Sequence, residues 1–308
     1  MTSLPDVTLC CVDTRFPELG FAALLRSSRN IDFGGVVFIT NCDFVVPEHT
    51  IRKLRIVRTG SISSVEAYSS FMVKKLADHI LTSHCLIIQW DGFIIHPESW
   101  SDRFLAYDYI GAPWMTHGGL VVGNGGFSLR SAKLLKALTS EEINPHHPED
   151  DCICVTNRRL LETNWNISFA PVDVANEFAF EFTPYEQQFG FHGLSNFPDI
   201  LEPHELQQFV DRMPEALFVN EYFIGFCKKA FAQNDHVLLS LLSKKIAKHL
   251  AHPDGRTYSR KQVSFLVESL IYLGLYKSAF TILTDRTYDA EWKLTYLKII
   301  LRRTIGSR

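Results

Sequence analysis

Short apolar runs and helical stripes alternate along the N-terminal part of the chain. Val7-Thr8-Leu9-Cys10-Cys11-Val12 is an unbroken β-prone run and predicts a first strand, with Asp13-Thr14-Arg15 at its carboxyl end. Phe21 to Ser28 carries apolar residues at helical spacing. Gly34-Gly35 leads into a second strand over Val36 to Thr40, and Ile56-Val57-Arg58 reads as a short third. Val65 to Thr82 predicts a long helix with Tyr68, Phe71, Met72, Leu76 and Ile80 on its inner face. The stretch Cys85-Leu86-Ile87-Ile88-Gln89-Trp90-Asp91-Gly92-Phe93-Ile94-Ile95 follows, in which two apolar runs flank a single carboxylate. This β-α-β-β-α-β order predicts an α/β fold, a mostly parallel central sheet with helices on both faces.

Further on, Tyr107-Asp108-Tyr109-Ile110-Gly111-Ala112-Pro113-Trp114 precedes a segment rich in glycine, with Gly118, Gly119, Gly123, Gly125 and Gly126. Phe127 to Ser131 leads into a helix ending near Leu138, and Glu149-Asp150-Asp151 opens another running to about Leu161. Ile167 to Pro171 predicts a late strand. From about Glu205 the pattern is helix after helix, over Val263 to Leu273, Lys277 to Leu283 and Ala290 to Arg302. Tyr272 to Phe280 resembles the turn of a tetratricopeptide-type hairpin, but no fixed-period array accompanies it, and a plain helical cap fits the pattern too. The expected organisation is an α/β domain over 1–204 and an α-helical region over 205–308.

Composition narrows the function classes. The chain has 308 residues, 46% hydrophobic and 21% charged, as in an ordinary globular protein. A net charge of −3 offers no electrostatic footprint for nucleic acid. Seven cysteines without a C-x-x-C pair argue for reduced thiols and a cytoplasmic setting. Met1 to Asp6 lacks the basic and apolar regions of a signal peptide, and no apolar stretch is long enough to span a bilayer. The end Leu301 to Arg308 is basic and reads as a frayed tail or a surface contact.

Four features are candidates for chemistry. A buried strand has no reason of its own to end on a charged group, so Asp91 belongs at the sheet edge with water, an arginine or a metal ion as partner. Taken alone, such an aspartate reads first as a loop carboxylate or helix cap. The Gly123-Asn124-Gly125-Gly126-Phe127-Ser128 loop lets backbone approach a ligand, or forms a tight turn. It is neither a dinucleotide fingerprint nor a P-loop. Glu149-Asp150-Asp151 is favoured at a helix N-terminus by the dipole, and its crowded carboxylates also suit a general base. His192, between Phe191 and Gly193, is a structural histidine or a metal ligand. His146 and His147 read as solvated loop residues.

Taken in order, Gln89-Trp90-Asp91, Gly123 to Ser128, Pro148-Glu149-Asp150 and Phe191-His192-Gly193 resemble the core of GT-A nucleotide-sugar glycosyltransferases. These stretches stand where that family has its D-x-D motif, its glycine-rich acceptor-side loop, its x-E-D motif and its late histidine. The stretches Tyr107 to Trp114 and Val122 to Arg130 are closer still to a poorly characterised glycosyltransferase-like family of unknown function. The resemblance spans about residues 5 to 200 and says nothing of the helical C-terminus. One departure is Gln89, which stands where D-x-D has its first acid.

The resemblance implies an inverting, metal-dependent transferase that moves a sugar from a nucleoside-diphosphate donor, UDP by preference, to a hydroxyl of a glycan-type acceptor. Asp91 and His192 would hold Mn²⁺ or Mg²⁺, which accept one or two carboxylates together with substrate phosphates. Asp150 would be the catalytic base, with Glu149 or Asp151 as alternates. Val12, Asp13, Thr14, Asn41, Gln89 and Trp90 would meet the donor nucleotide, and Lys74 would be a phosphate contact or a solvated lysine. Asn124, Gly125, Gly126 and Trp114 would meet the donor sugar or acceptor. Two other readings stay open: a degenerate transferase fold serving as a binding or scaffold protein, and a nucleotide-sugar hydrolase. The helical C-terminus is a candidate surface for a protein partner or a second copy.

Overall fold

In the computed structural model, which describes residues 1–305 except 45, 48–49, 117–118, 252–257 and 285–289, strand β1 (Thr2–Val12) lies in a six-stranded sheet. The next elements are α1 (Pro17–Ser27), β2 (Ile31–Thr40), β3 (Leu54–Arg58), α2 (Val65–Lys74), β4 (His84–Ile88), β5 (Tyr109–Gly111), β6 (Pro113–Thr116) and β7 (Gly119–Val122). Then come β8 (Ser128–Ser131), α3 (Ala132–Leu138), α4 (Glu149–Asp151), α5 (Arg158–Trp165), α6 (Val172–Phe178), β9 (Ala179–Phe180) and β10 (Gly190–Phe191). The sheet order is β3-β2-β1-β4-β8-β5. The first four strands are parallel, β8 is antiparallel to β4, and β5 is antiparallel to β8.

The period-two alternation of β1 sorts its side chains between two helical layers. Cys10 and Val12 join Val37, Ile39, Cys85 and Ile87 against Met72 of α2, Leu76 and Leu135 of α3. On the opposite face Phe21 of α1 packs on Phe38 with ring centroids 5.6 Å apart. The mostly parallel α/β sheet covered on both faces is the fold class expected from the sequence. β1 starts five residues before the expected Val7, because its register on β2 shifts between Leu4 and Thr8 around Pro5, which has no N–H to give the ladder.

Strand direction places the site. The carboxyl ends of β1, β2 and β4 share one edge, so Asp13, Asn41 and Gln89 to Asp91 emerge together. Because β8 runs against β4, with Ser128 opposite Ile87, the loop Gly123 to Phe127 enters the sheet where β4 leaves it.

Three expected elements differ. The helix from Val65 stops at Lys74 and a 3₁₀ turn, Leu76–His79, replaces its last part. Leu76 stays buried through that change, since 3₁₀ spacing nearly preserves the apolar stripe. The helix from Glu149 is broken by a π turn, Cys152–Thr156, in which Asn157 N–H donates to Cys152 O at 3.0 Å. The late strand is reduced to one bridge, Tyr109 with Phe169, because β5 is short and Pro171 has no N–H to extend the pairing.

The chain divides into two compact units, Met1–Gly193 and Leu194–Arg308, whereas the pattern alone puts the change of texture at 204/205. The short helix α7 (Phe197–Ile200) groups with the C-terminal helices α8 (Pro203–Arg212), α9 (Glu221–Ala232), α10 (His236–Ala251), α11 (Arg260–Tyr272), α12 (Tyr276–Leu283) and α13 (Ala290–Ile305). α11 packs on α9 and α12. The α11–α12 turn needs Gly274, whose φ is +71°. No helix among the described residues is long and apolar enough to cross a membrane. All seven cysteines are free thiols, and only Cys42 is exposed. Gly118 of the glycine-rich segment and Gly306 to Arg308 of the basic tail lie outside the described residues.

Candidate active site at the carboxyl edge of the sheet

Asp91 is 3% exposed, and its Oδ1 accepts no hydrogen bond from the described residues. A buried carboxylate oxygen left in that state costs on the order of 1–3 kcal/mol, so it is expected to have a purpose. The nearest cationic group is His192, whose Nε2 stands 3.5 Å from Oδ1. Gln89 Oε1 lies 3.2 Å from the same Nε2, while Gln89 Nε2 donates to Tyr68 Oη at 2.9 Å. Three donor atoms of the chain (one carboxylate, one imidazole and one amide oxygen) therefore converge.

The far side of the imidazole is held just as firmly. His192 Nδ1 lies 3.1 Å from Glu181 Oε1, and Asn124 Nδ2 donates to Glu181 Oε2. The parallel pair β9–β10 causes this meeting, because Glu181 follows β9 and His192 follows β10, with His192 N–H donating to Phe180 O at 3.0 Å. Burial alone favours a neutral ring, but the carboxylates of Asp91 and Glu181 outweigh it and hold the His192 pKa well above the ordinary value.

The glycine loop is shaped by these side chains. Asn124 has φ +60°, and its Oδ1 accepts from Gly126 N–H at 3.1 Å and Phe127 N–H at 3.3 Å. A Cβ on Gly126 would collide with the His192 ring, and one on Gly125 would collide with Glu149. Both glycines thus admit protein side chains, where the sequence reading has them meeting the donor sugar or acceptor. Tyr109 Oη donates to Asn124 O at 3.1 Å and fastens the loop to β5.

Asp150, in α4, is bonded to the same loop. Its Oδ2 accepts from Gly125 N–H at 3.0 Å and its Oδ1 from Asp151 N–H at 2.9 Å. Burial, then the adjacent Glu149 charge, push its pKa up to about 6, against those two N–H bonds and the charge of Arg130. Glu149 is buried in an ion pair with Arg130, whose Nη2 is 3.2 Å from Oε1. Arg130 is fully buried on β8, donates from Nε to Ser128 Oγ at 3.1 Å, and lies over the Tyr109 ring.

The residues read as nucleotide contacts are less uniform. Val12 is in the core. Asp13 Oδ1 accepts from Arg15 N–H and Phe16 N–H, and burial, with a smaller push from Asp91, raises its pKa. Thr14 bonds the backbone of Ile62. Asn41 accepts from Cys42 Sγ at 3.4 Å, and Trp90 meets Phe16 edge-on, both half-buried. Trp114 is half-buried with its indole against Gly123, and its Nε1 has no partner among the described residues. Lys74 is half-buried, and its Nζ donates to Leu138 O at 2.9 Å and Ser140 O at 2.7 Å. His147 Nδ1 lies 3.1 Å from Ser69 Oγ and His146 Nε2 lies 3.0 Å from Thr156 Oγ1.

Residues 52–192 match the model of a family described as a protein of unknown function, DUF5672. That span holds the Tyr107 to Trp114 and Val122 to Arg130 stretches together with Asp91, Asp150, Glu181 and His192. No curated protein matches the chain. Among solved structures, the glycosyltransferase GlyE of Streptococcus pneumoniae TIGR4 is similar at 10% identity and a TM-score of 0.36, covering 88% of this chain and 73% of its own.

Glu181 and Arg130 are the site residues that motif reading passed over. Glu181 carries the same signal as Asp91, a carboxylate ending the apolar run Phe178-Ala179-Phe180. For a divalent cation, the described residues contain no group of three His, Cys, Asp or Glu side chains. The Asp91 oxygen that accepts no hydrogen bond, Nε2 of His192 and the Gln89 oxygen still fit Mg²⁺ or Mn²⁺, which take the rest of their shell from phosphates and water. Glu181 behind Nδ1 supplies the carboxylate that metal-bound histidines commonly carry.

Proposed function

We propose that the chain is an inverting, metal-dependent glycosyltransferase using a nucleoside-diphosphate sugar, with UDP the first donor to test and a glycan-type hydroxyl as acceptor. The observation that carries this reading is the buried Asp91 oxygen that accepts no hydrogen bond and faces Nε2 of His192. Support also comes from Asp150, a carboxylate with its pKa near 6, fixed to the loop residue next to the one under that histidine.

Asp91 and His192, aided by Gln89, would hold Mn²⁺ or Mg²⁺, which when bound neutralises charge developing on the leaving diphosphate. Asp150 accepts the proton of the acceptor hydroxyl as that oxygen bonds to the anomeric carbon and the bond to the diphosphate breaks. Attack on the face opposite the leaving group inverts the anomeric centre. Glu149 is tied to Arg130, so its part is to raise the basicity of Asp150 rather than to take the proton. Asp13, Thr14, Asn41 and Trp90 stand at the strand ends where the nucleoside would bind. Trp114 offers an aromatic face and an unused N–H for a sugar.

Calorimetry of the protein against UDP and GDP, each with and without Mn²⁺, tests the donor site. Binding of one nucleotide only with metal is the expected result. No binding to either, with the protein folded, removes the donor assignment and favours the binding-protein reading. Product analysis of UDP-sugars with and without acceptor oligosaccharides then separates transfer from nucleotide-sugar hydrolysis.

A further inference from the structure

His192 must present Nε2, not Nδ1, to Asp91 if it is to share a ligand with that carboxylate. A histidine ring can flip and can carry its proton on either nitrogen, so something must choose. The network behind the ring does so. Asn124 Oδ1 is engaged by the N–H groups of Gly126 and Phe127, which fixes the amide with its NH₂ toward Glu181. Glu181 then has one oxygen on Asn124 and the other 3.1 Å from His192 Nδ1. A carboxylate only accepts, so Nδ1 carries a proton and donates it, and Asn124 Nδ2, although 3.3 Å from Nδ1, gives its hydrogen to Glu181. Gln89 Oε1, 3.2 Å from Nε2, also only accepts, so without metal both ring nitrogens are protonated and a cation would displace the proton on Nε2. The ring fills the place that a Cβ on Gly126 would take.

We infer that Glu181 and Asn124 are positioning residues that lock the His192 ring with Nδ1–H on Glu181, so that Nε2 faces Asp91 and the divalent cation held between them. The inference rests on the metal-dependent reading above for its purpose, but not for its geometry. In this assignment Glu181 acts through His192. The Asn124 backbone, at φ +60°, is as readily adopted by glycine, so Asn124→Gly removes the amide and keeps the turn.

Two measurements test it. In metal-free ¹⁵N-labelled protein, the Nδ1–H proton of His192, assigned by its loss in His192→Gln, is expected as a slowly exchanging resonance. It should persist in Glu181→Gln, whose amide oxygen still accepts, and vanish in Glu181→Ala. Mn²⁺ affinity in the presence of a nucleoside diphosphate, read by electron paramagnetic resonance, should fall about 10–100-fold in Glu181→Ala and in Asn124→Gly. Glu181→Gln should lie between these and the wild type. An unchanged Nδ1–H signal or an unchanged Mn²⁺ affinity in Glu181→Ala overturns the inference. Wild-type protein that binds no Mn²⁺, while the resonance is still lost in Glu181→Ala, sinks the metal reading and leaves the positioning role standing. If Glu181→Ala does not fold, Asn124→Gly and Glu181→Gln decide by the same two signals.

Discussion

Oδ1 of Asp91 stands 3.5 Å from Nε2 of His192 and accepts no hydrogen bond from the described residues. In the metal-free protein the two buried groups face each other as an ion pair, and a cation bonded to both would take the place of the Nε2 proton. Asp91→Asn keeps the shape and removes the charge. It is expected to weaken Mn²⁺-dependent nucleotide binding beyond the roughly 10–100-fold typical of an outer-shell partner. Binding without metal should be unchanged. Calorimetry of the variant with and without Mn²⁺ checks this, and wild-type affinity in the presence of metal would remove Asp91 from the site.

On the proposed reading, Asp150, with its pKa near 6, is expected to set the pH dependence of transfer. With the ionised form as the base, the rate should rise about tenfold per pH unit below 6 and level off above it. Asp150→Asn should lower the transfer rate roughly 10²–10⁴-fold with donor affinity nearly intact. A pH–rate profile of the wild type, set beside calorimetry of the variant, reads both effects. Transfer by Asp150→Asn at the wild-type rate would assign the base elsewhere.

Much of this was legible in the chain because apolar runs report strands and their ends. Val7 to Val12 and Cys85 to Ile88 read as buried strands, and the charged residues behind them reached the expected edge. Periodicity could not see the 3₁₀ turn at Leu76 or the π turn at Cys152, since each shifts the stripe by less than one residue per turn. Nor could it say what a glycine faces. Gly125 and Gly126 read as room for a ligand, but they make room for Glu149 and His192, a fact set by pairing between β4 and β8 rather than by local sequence. Glu181 meets His192 only through the short β9–β10 pair, whose two residues per strand fall below what a pattern can report.

Gly126→Ala tests that packing. An added methyl would occupy the position of the His192 ring, so the ring must leave the place from which Nε2 faces Asp91. Overpacking of this kind costs roughly 1–3 kcal/mol. Mn²⁺-dependent binding should fall with the drop in stability, while Gly60→Ala, where a methyl meets nothing within 4 Å, should change neither. Thermal unfolding and Mn²⁺ titration of the two variants make the comparison. Retained metal binding in Gly126→Ala would mean that the ring position under Asp91 is not required.

Glu149 and Arg130 allow a sharper division between structural and chemical roles. Their pair is buried, so removing one charge strands the other, and Glu149→Gln is expected to cost about 3–5 kcal/mol in denaturant unfolding. The double variant Glu149→Gln, Arg130→Met should recover part of that loss, because no unpaired charge remains. Glu149 also raises the pKa of Asp150 by the repulsion between the two carboxylates. Its neutralisation should therefore move the midpoint of the pH–rate profile below 6, with the plateau rate retained within about tenfold, since Asp150 still takes the proton. If Glu149 were itself the base, the outcome would be opposite: the plateau would collapse and no shifted midpoint would remain. The pH–rate profile of Glu149→Gln, measured at a temperature where unfolding is negligible, distinguishes the two.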